Sequence, residues 1–349
     1  NPTVKSRAGF KLHIKMPSDD NELVSSSSDE GPYVCCLPQE IQTLAYVELN
    51  EDPAIRDDAL RTLRSWLKTQ PHIRARTDNT TLLRYLRGCK FDVQRTQSKI
   101  ETFYSCKTAL PDMFIGRDPS LASVNAILHL GLMVPLPGYD ALGRKVILGR
   151  LGAWNPSIHK PELLFKAASM LFDTLFMEDE QISVTGFVQL HDMAGFSLKH
   201  ASSLTLPLIK KVMAIWTEGY STRPKAVHYI NTPPAFTPIF NIFKRFMKEK
   251  MKKRIMIHGS NLASMQKHVP KSMLPAEYGG LHYNLREITE EWVEKIESHR
   301  TWFLEDEQYK VTDTSNNNNN NKNKKPSHSI SKMREIFGSD RSFKKLDLD

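Results

Sequence analysis

The pair Cys89 and Arg95 has the C-x5-R spacing of phosphatases that attack through a cysteine thiolate. Such enzymes need a loop whose glycines let backbone N–H groups point at the phosphate. The residues between Cys89 and Arg95 include no glycine, and Asp92 among them would repel a phosphate. We therefore do not expect phosphatase activity.

A second pair, His191 and Asp192, stands at the end of a predicted strand with Ser197 and Ser202 nearby. These are the residue types of a hydrolase triad, but the G-x-S-x-G turn that presents a nucleophilic serine does not occur. Adjacent residues of a strand also point to opposite faces of the sheet, so the pair could not act on one substrate. We interpret it as a polar anchor for the following loop and expect no enzyme.

Metal and nucleotide chemistry have no support in the sequence. No GxGxxG, Walker A or HExxH pattern occurs. The four cysteines, Cys35, Cys36, Cys89 and Cys106, form neither a CxxC pair nor another metal-ligand spacing. We expect free thiols in a reducing compartment, no metal and no cofactor.

The charge of the chain predicts an anionic partner. Its 349 residues include 48 Lys and Arg against 39 Asp and Glu, a net charge of +9, and the excess lies in a few stretches. Such a balance favours lipid headgroups or nucleic acid. No run of 18 apolar residues and no apolar core of a secretory signal occur, so we expect a cytosolic protein.

The stretch from residue 226 to residue 259 has an unusual pattern. Two short apolar strands enclose a helix that follows Pro233 and Pro234. Its apolar residues form two stripes, which is more apolar surface than a surface helix carries. The stripes are Phe236, Phe240, Phe243 and Met247 on one side and Ile239, Ile242 and Phe246 on the other.

A basic cluster, residues 244–254, follows this helix and leaves two interpretations open. The helix could meet an acidic membrane through one of its stripes. It could equally be a core helix whose lysine-rich end is favoured by the helix dipole. Nucleic acid is not expected, because a helix with two apolar stripes is a poor reader of a phosphate backbone.

The first third of the chain is predicted to be a leader followed by helices. Residues 1–37 are rich in Ser, Asp, Glu and Lys, which favours a disordered leader whose acid-flanked serines could be phosphorylated. Residues 38–118 are expected to form a small helical domain. Asp52, Asp78 and Asp92 have the positions of N-caps for three amphipathic helices.

The remainder is predicted to be an α/β domain with a helical end. Strand and helix patterns alternate over residues 119–285, which indicates a largely parallel sheet. Residues 286–311 have the pattern of a C-terminal helix. Residues 312–349 are expected to be an Asn-rich linker and a charged tail.

Five motifs occur in order along the chain: LLRYLR at 82–87 with FD at 91–92, DALGR at 140–144, DMAG at 192–195, INTP at 230–233 and LPAEYGG at 274–280. Together they resemble the CRAL-TRIO (Sec14-like) lipid-transfer family over about residues 40–305, and most of all its branch of alpha-tocopherol transfer protein, retinaldehyde-binding protein and clavesins. The resemblance implies a helical bundle, an α/β domain with an apolar cavity, and a mobile gate helix at residues 234–247.

The resemblance also implies which residues meet each partner. Ile239 and Ile242 would contact the bilayer during exchange, and Asn231 with the two prolines would form the hinge. A phosphoinositide headgroup would be bound by Lys225, Lys250 and Arg254; a fourth basic position of the family is Cys89 here, and the neighbouring Lys90 is expected to replace it. The cavity walls would come from Ile147, Phe165, Ser169, Phe172, Phe187, Gln189, Phe236, Phe240 and Phe243.

We therefore expect a monomeric, non-enzymatic carrier of a small hydrophobic lipid such as a tocopherol or a retinoid. Phosphoinositides would assist its exchange at membranes, and the protein would be cytoplasmic and transiently bound to an endosomal or plasma membrane. A carotenoid or a phospholipid remains open as cargo. The alternative is a trafficking adaptor that binds phosphoinositide as a membrane address and recruits partners through its terminal segments.

Overall fold

The computed structural model describes the backbone of residues 3–5 and 11–13 and the chain from residue 31 to residue 312. Strands β1 (Thr3–Lys5) and β2 (Lys11–His13) pair antiparallel. The leader serines and residues 313–349 of the tail lie outside the described residues. Disorder is a wrong prediction for residues 31–37, because Leu37 is buried and the Tyr33 hydroxyl donates to Glu180.

The N-terminal part is built from helices, and aspartates cap the first turns of three of them. The Asp52 side chain accepts from the N–H of Ala54, and Asp78 accepts from the N–H of Thr81, which confirms two predicted N-caps. The third, Asp92, caps α4. The sequence did not predict the other three helices, Gln39–Leu49, Pro111–Phe114 and Ala122–Leu128, individually. The helices are α1 (Gln39–Leu49), α2 (Pro53–Lys68), α3 (Asn79–Cys89), α4 (Val93–Ala109), α5 (Pro111–Phe114) and α6 (Ala122–Leu128).

The second part contains a five-stranded sheet of order β3-β4-β5-β6-β7, in which only β3 runs antiparallel to its neighbour. The expected α/β class with a largely parallel sheet is confirmed. Gly186, with a φ of +78°, ends a short helix and turns the chain into the strand Phe187–Asp192. The strands are β3 (Met133–Pro135), β4 (Lys145–Arg150), β5 (Phe187–Asp192), β6 (Pro224–Ile230) and β7 (Ile255–Gly259).

Helices cover both faces of this sheet. A π-helical turn, Ile215–Gly219, prolongs one of them, and the predicted last helix is divided in two at His299. The helices are α7 (Pro161–Glu178), α8 (Gln181–Thr185), α9 (Leu198–Ser203), α10 (Leu206–Ala214), α11 (Phe236–Arg245), α12 (Glu249–Lys252), α13 (Leu262–Met265), α14 (Leu285–Ser298) and α15 (Arg300–Asp306), with 3-10 turns at Lys271–Met273 and Ala276–Tyr278.

Buried ion pairs join the helical part to the α/β part. Arg117 contacts Asp173 of α7 at 2.6 Å and Asp306 of α15, and Asp306 also accepts from Lys107 and Arg76. Breaking such a pair on one side would leave an uncompensated buried charge, so the network holds the two parts in one arrangement. The domain boundaries near residues 118 and 285 remain predictions.

No helix within the part of the chain that the structure describes has both the length and the hydropathy needed to cross a bilayer.

Candidate functional site

A cavity of about 1,470 Å³ opens between the sheet and the helices on one of its faces. Alternate side chains of two strands form its floor: Phe187, Gln189 and His191 of β5, and Val227 and Tyr229 of β6. Gln189 lies opposite Val227 and His191 opposite Tyr229 in the parallel register. Because successive side chains of a strand alternate between faces, these five all point into the cavity.

Helix α7 forms a second wall. Leu164, Phe165, Ala168 and Phe172 line the cavity, and their spacing places them on one face of the helix. The Phe172 ring packs 5.4 Å from the ring of Phe187. The apolar wall and a floor that mixes apolar with polar side chains make a space suited to a largely apolar molecule.

The structure places the predicted cavity residues on the wall with two exceptions. Ile147 shares a sheet row with Gln189 but is fully buried in the main core cluster and does not reach the cavity. Ser169 faces away from it, since its hydroxyl donates to the Lys166 carbonyl at 2.7 Å and lies 3.4 Å from Arg117. Both assignments are corrected on this ground.

Helix α11 closes one side of the cavity with its apolar face. Phe236, Phe240 and Phe243 line the cavity, as the sequence predicts. Ile239 also lines it and is 6% exposed, so its predicted role as an outward membrane contact is wrong for this conformation. Ile242 is half-buried among the residues packed around Phe236.

The outer face of α11 carries no apolar stripe in this conformation. Its exposed residues are Thr237, Pro238, Asn241, Lys244 and Arg245. The two predicted stripes are therefore one broad apolar face that points inward. Contact of this face with a bilayer would require the helix to swing away from the sheet.

The segment before α11 has the features of a hinge. Asn231 adopts a left-handed conformation with φ of 51°, and its side chain donates to Asp192 at 2.9 Å. Pro233 and Pro234 follow, and proline restricts the backbone there. The chain thus changes direction at a fixed point between β6 and α11.

The mouth of the cavity is lined by basic side chains from three parts of the fold. The four predicted for a headgroup, Lys90, Lys225, Lys250 and Arg254, all lie on it. Four others were not predicted, although their basic character was visible in the sequence. They are Arg95, Lys99, Arg223 and Lys248.

One carboxylate neutralises part of this basic mouth. Glu48 of α1 accepts from Arg223 and from Lys225, each at 3.2 Å. Burial would raise the pKa of Glu48, but Lys225, Arg223 and Lys90 outweigh it and hold that pKa below its ordinary value. Burial, with the nearby Arg223, lowers the pKa of Lys225 to about 8.

Cys89, which the resemblance aligns with a basic residue, is buried, and burial raises the pKa of its thiol. Lys90 beside it is exposed and has a left-handed φ of 59° as the C-cap of α3. Lys90 lines the cavity together with Cys89, the last residue of α3.

The aspartates of the two candidate catalytic motifs, Asp92 and Asp192, have structural roles. Asp92 caps α4 beside the buried Cys89. Asp192 accepts from the N–H of Ala194 at 2.9 Å and from the Tyr278 hydroxyl at 2.7 Å on the far side of the sheet from His191. Within residues 31–312, His, Cys, Asp and Glu side chains form no group suited to a metal ion.

His191 and Tyr229 were missed as cavity residues. Strand alternation could have found His191, because it lies two residues beyond the predicted cavity residue Gln189. Tyr229 lies beside His191 only through the pairing of β5 with β6. Their rings pack against each other with centroids 5.1 Å apart.

Comparison with known proteins agrees with this architecture. Residues 131–280 match the CRAL/TRIO domain and residues 52–124 the Pinta-like UBA domain. "Alpha-tocopherol transfer protein-like" of Homo sapiens is 36% identical over 75% of this chain and 75% of its own length. The Mus musculus protein of that name is 35% identical over 75% and 76%, and "Clavesin-1" of Pongo abelii is 30% identical over 70% and 68%.

Among solved structures, the crystal structure of Sfh5 superimposes on this chain with a TM-score of 0.44 and 16% identity. The superposition covers 66% of this chain and 90% of that one. The family assignment rests on the curated relatives, which reach 36% identity over 75% of this chain. The chain belongs to the CRAL/TRIO family.

Proposed function

We propose that this protein is a non-enzymatic carrier that holds one hydrophobic molecule in its cavity and exchanges it at membranes containing phosphoinositides. The observation that carries the proposal is the cavity of about 1,470 Å³, with apolar walls and a basic mouth. Cavities of roughly 300–1,000 Å³ already enclose drug-sized ligands. The space is therefore large enough for a long-chain lipid.

The position of α11 supports exchange through a gate. Its apolar face forms one side of the cavity, and a stiff hinge at Asn231 and Pro233 precedes it. When α11 swings out, the apolar face that contacts cargo would enter the bilayer. That face would be shielded from water in both forms, by the cargo when closed and by lipid when open. Ile239 and Ile242 would then be membrane contacts in the open form.

The basic mouth supports recognition of an anionic headgroup. Lys225, Lys250, Arg254 and Lys90 all line the cavity, at the opening through which cargo would pass. Each basic residue near an acidic surface contributes about 1 kcal/mol to binding. A phosphoinositide, with several negative charges on one headgroup, would engage more of them than a lipid with one charge. The protein would then act in the cytoplasm and bind membranes transiently.

The carrier proposal predicts that purified protein binds one apolar molecule per chain. Native mass spectrometry, followed by organic extraction of the protein, should show a monomer with one lipid adduct. A protein that remains empty with every lipid offered, yet binds phosphoinositide vesicles, would contradict the carrier and support the adaptor.

Replacing Glu48 with glutamine is expected to strengthen binding to phosphoinositide vesicles. Glu48 occupies Arg223 and Lys225 in the free protein, and a headgroup must compete with it. Loss of one negative charge near the lipid surface should improve affinity about fivefold. Vesicle sedimentation at mildly acidic pH, where Lys225 stays protonated, measures the change.

Glu40→Gln is the matched control, because it makes the same change of charge at the other end of α1. It should leave vesicle binding unchanged. An equal gain in both variants would show that only net charge matters, and the Glu48 contacts would lose their proposed role.

A further inference from the structure

Three histidines cluster on the face of the sheet that is turned away from the cavity. His228 lies on β6 between Val227 and Tyr229, which line the cavity, so its side chain points to the other face. Its ring lies 5.2 Å from the His258 ring of β7 and 5.1 Å from the His268 ring, which follows α13. The His258 and His268 rings are 5.8 Å apart. Two strands and the segment after α13 therefore meet at one group of imidazoles.

Hydrogen bonds that suit neutral imidazoles join this cluster. The Nδ1 atom of His228 lies 2.9 Å from the Nε2 atom of His258, and the Nδ1 atom of His258 lies 2.9 Å from the Ser264 hydroxyl. A hydrogen bond between two ring nitrogens needs one N–H and one bare nitrogen, whichever tautomer is present. When both rings are protonated, both nitrogens carry hydrogen and this bond is lost. Two positive charges would then face each other between β6 and β7.

The charges around the cluster oppose its protonation. His228 is 2% exposed, and burial lowers its pKa to about 4, with further lowering by the two neighbouring imidazoles and by Arg144. Burial and His268 likewise lower the pKa of His258. Arg144 is itself paired with Asp140 at 2.6 Å. No carboxylate among the described residues raises the pKa of either imidazole.

The elements that pack against β6 and β7 supply no free counter-charge on this face. Asp192 of β5 lies on the same face, but it accepts from the Tyr278 hydroxyl at 2.7 Å and from the Asn231 side chain at 2.9 Å. Burial raises the pKa of Tyr278, so its hydroxyl stays protonated. Helix α13 carries no charged residue, and Lys225 of β6 lines the cavity on the other face.

The cluster is linked to the hinge of the gate helix. The Asn231 N–H donates to the Gly259 carbonyl at 2.6 Å, and Gly259 directly follows His258 in β7. The chain between the end of β6 and the start of β7 contains α11 and α12. Strand β7 lies at an edge of the sheet and pairs with β6. Loosening of β7 would therefore release both the hinge and the C-terminal anchor of the gate.

We propose that His228, His258 and His268 form an acid-sensitive latch that holds the gate shut at neutral pH and releases it, with the cargo, at mildly acidic pH. This inference rests on the proposed carrier function and adds its regulation. Protons concentrate at an anionic bilayer surface, where a potential of about −30 to −50 mV lowers the local pH by roughly half a unit or more. Arrival at such a membrane would therefore favour opening.

Linkage gives the sign and the size of the effect. A histidine that is kept neutral in the closed form and is free to bind a proton in the open form favours opening as pH falls below its ordinary pKa of about 6.5. With a pKa of about 4 in the closed form, His228 alone would raise the opening equilibrium roughly 20-fold between pH 7 and pH 5.

Transfer of the neutral dye Nile red from the loaded full chain to phosphatidylcholine vesicles tests the latch, because these vesicles carry no net charge. The transfer rate should rise roughly 10- to 20-fold between pH 7 and pH 5. Hydrogen exchange at the Asn231 and β7 amides, corrected for the intrinsic effect of pH, should rise with it, since these amides would be exposed in the open form.

His228→Asn keeps a hydrogen-bonding group at the position of Nδ1 but cannot titrate. It should lose most of the acceleration at pH 5. His129→Asn is the matched control, because His129 is exposed at the end of α6. It should keep the acceleration. Full acceleration in the His228 variant would overturn the latch.

The wild-type measurements alone decide if the His228 variant fails to fold. Equal transfer rates at pH 7 and pH 5 would overturn the latch and leave the carrier standing. Faster transfer with equally faster exchange throughout the chain would also overturn it, since that result would indicate general acid unfolding. If the chain took up no Nile red at pH 7, the carrier function and the latch would both fall.

Discussion

Changing Phe236 and Phe240 together to alanine is expected to lower both thermal stability and cargo affinity. Phe236 is 5% exposed and stacks on Phe240 at 5.0 Å between ring centroids. Truncation of a buried phenylalanine costs about 3–5 kcal/mol, through lost burial and the space left behind. Half-buried Phe240 should add a smaller amount. A melting curve and a Nile red titration measure the two effects.

Cargo affinity should respond even if α11 detaches before the rest of the chain unfolds. Local opening limits how much of the loss appears in global stability. The two phenylalanines line the cavity, however, so the bound state loses their contacts in any case. Affinity for an apolar probe should fall at least about tenfold, which corresponds to roughly 1.4 kcal/mol.

The matched control is Thr237→Ala with Asn241→Ala, on the exposed face of the same helix. These changes should leave melting temperature and cargo affinity nearly unchanged. Ile239→Ser should instead behave like the phenylalanine variant, because Ile239 is buried and lines the cavity. Equal stability in all three variants would mean that α11 does not hold the cavity closed.

Local chemistry in the sequence was sufficient to predict where three of the N-terminal helices begin. Aspartates at 52, 78 and 92 can satisfy free N–H groups of a first helical turn, and all three do so. Alternation of apolar strands with helices likewise predicted the sheet. These features depend on neighbours in the chain, which a sequence displays directly.

Packing between elements could not be predicted in the same way. Ile147 and Gln189 share a row of the sheet, yet only Gln189 reaches the cavity. Spacing along α7 groups Ser169 with Phe165, but the buried Arg117 lies on the Ser169 side of that helix. Which neighbour covers a side chain is decided by distant parts of the chain.

The prediction of two separate apolar stripes on α11 is wrong for a geometric reason. At about 100° per residue, its apolar positions from Phe236 to Met247 cover a continuous arc of about 160°. A broad cavity can accept so wide an arc on one side. The sequence is enough to calculate where these side chains lie around the helix. The width of the surface against which α11 packs, however, depends on the sheet and on α10.

The basic mouth should account for most of the affinity for phosphoinositides. Changing Lys225, Lys250 and Arg254 together to alanine is expected to weaken binding to vesicles that contain a phosphatidylinositol bisphosphate. At about 1 kcal/mol for each basic residue, the loss should be roughly 3 kcal/mol, about a hundredfold. Vesicle sedimentation at physiological ionic strength measures it.

A triple change at Lys267, Lys271 and Lys310 provides the matched control. All three are exposed and lie outside the mouth, and the variant loses the same net charge. Its binding should fall only slightly, since charges far from the contact are screened within about 8 Å. A loss as large as that of the mouth variant would indicate nonspecific attraction.

The pH dependence of binding distinguishes a headgroup site from a diffuse patch. Lys225 has a pKa of about 8, lowered by burial and by Arg223, so it loses its charge as pH rises through that value. Binding of wild type to phosphoinositide vesicles should therefore weaken between about pH 7 and pH 9, where ordinary lysines stay charged. The Lys225→Ala variant should lack this step. If phosphatidylserine vesicles of equal surface charge gave the same affinity and the same pH profile, the mouth would recognise negative charge alone, and the proposed phosphoinositide site would have to be abandoned.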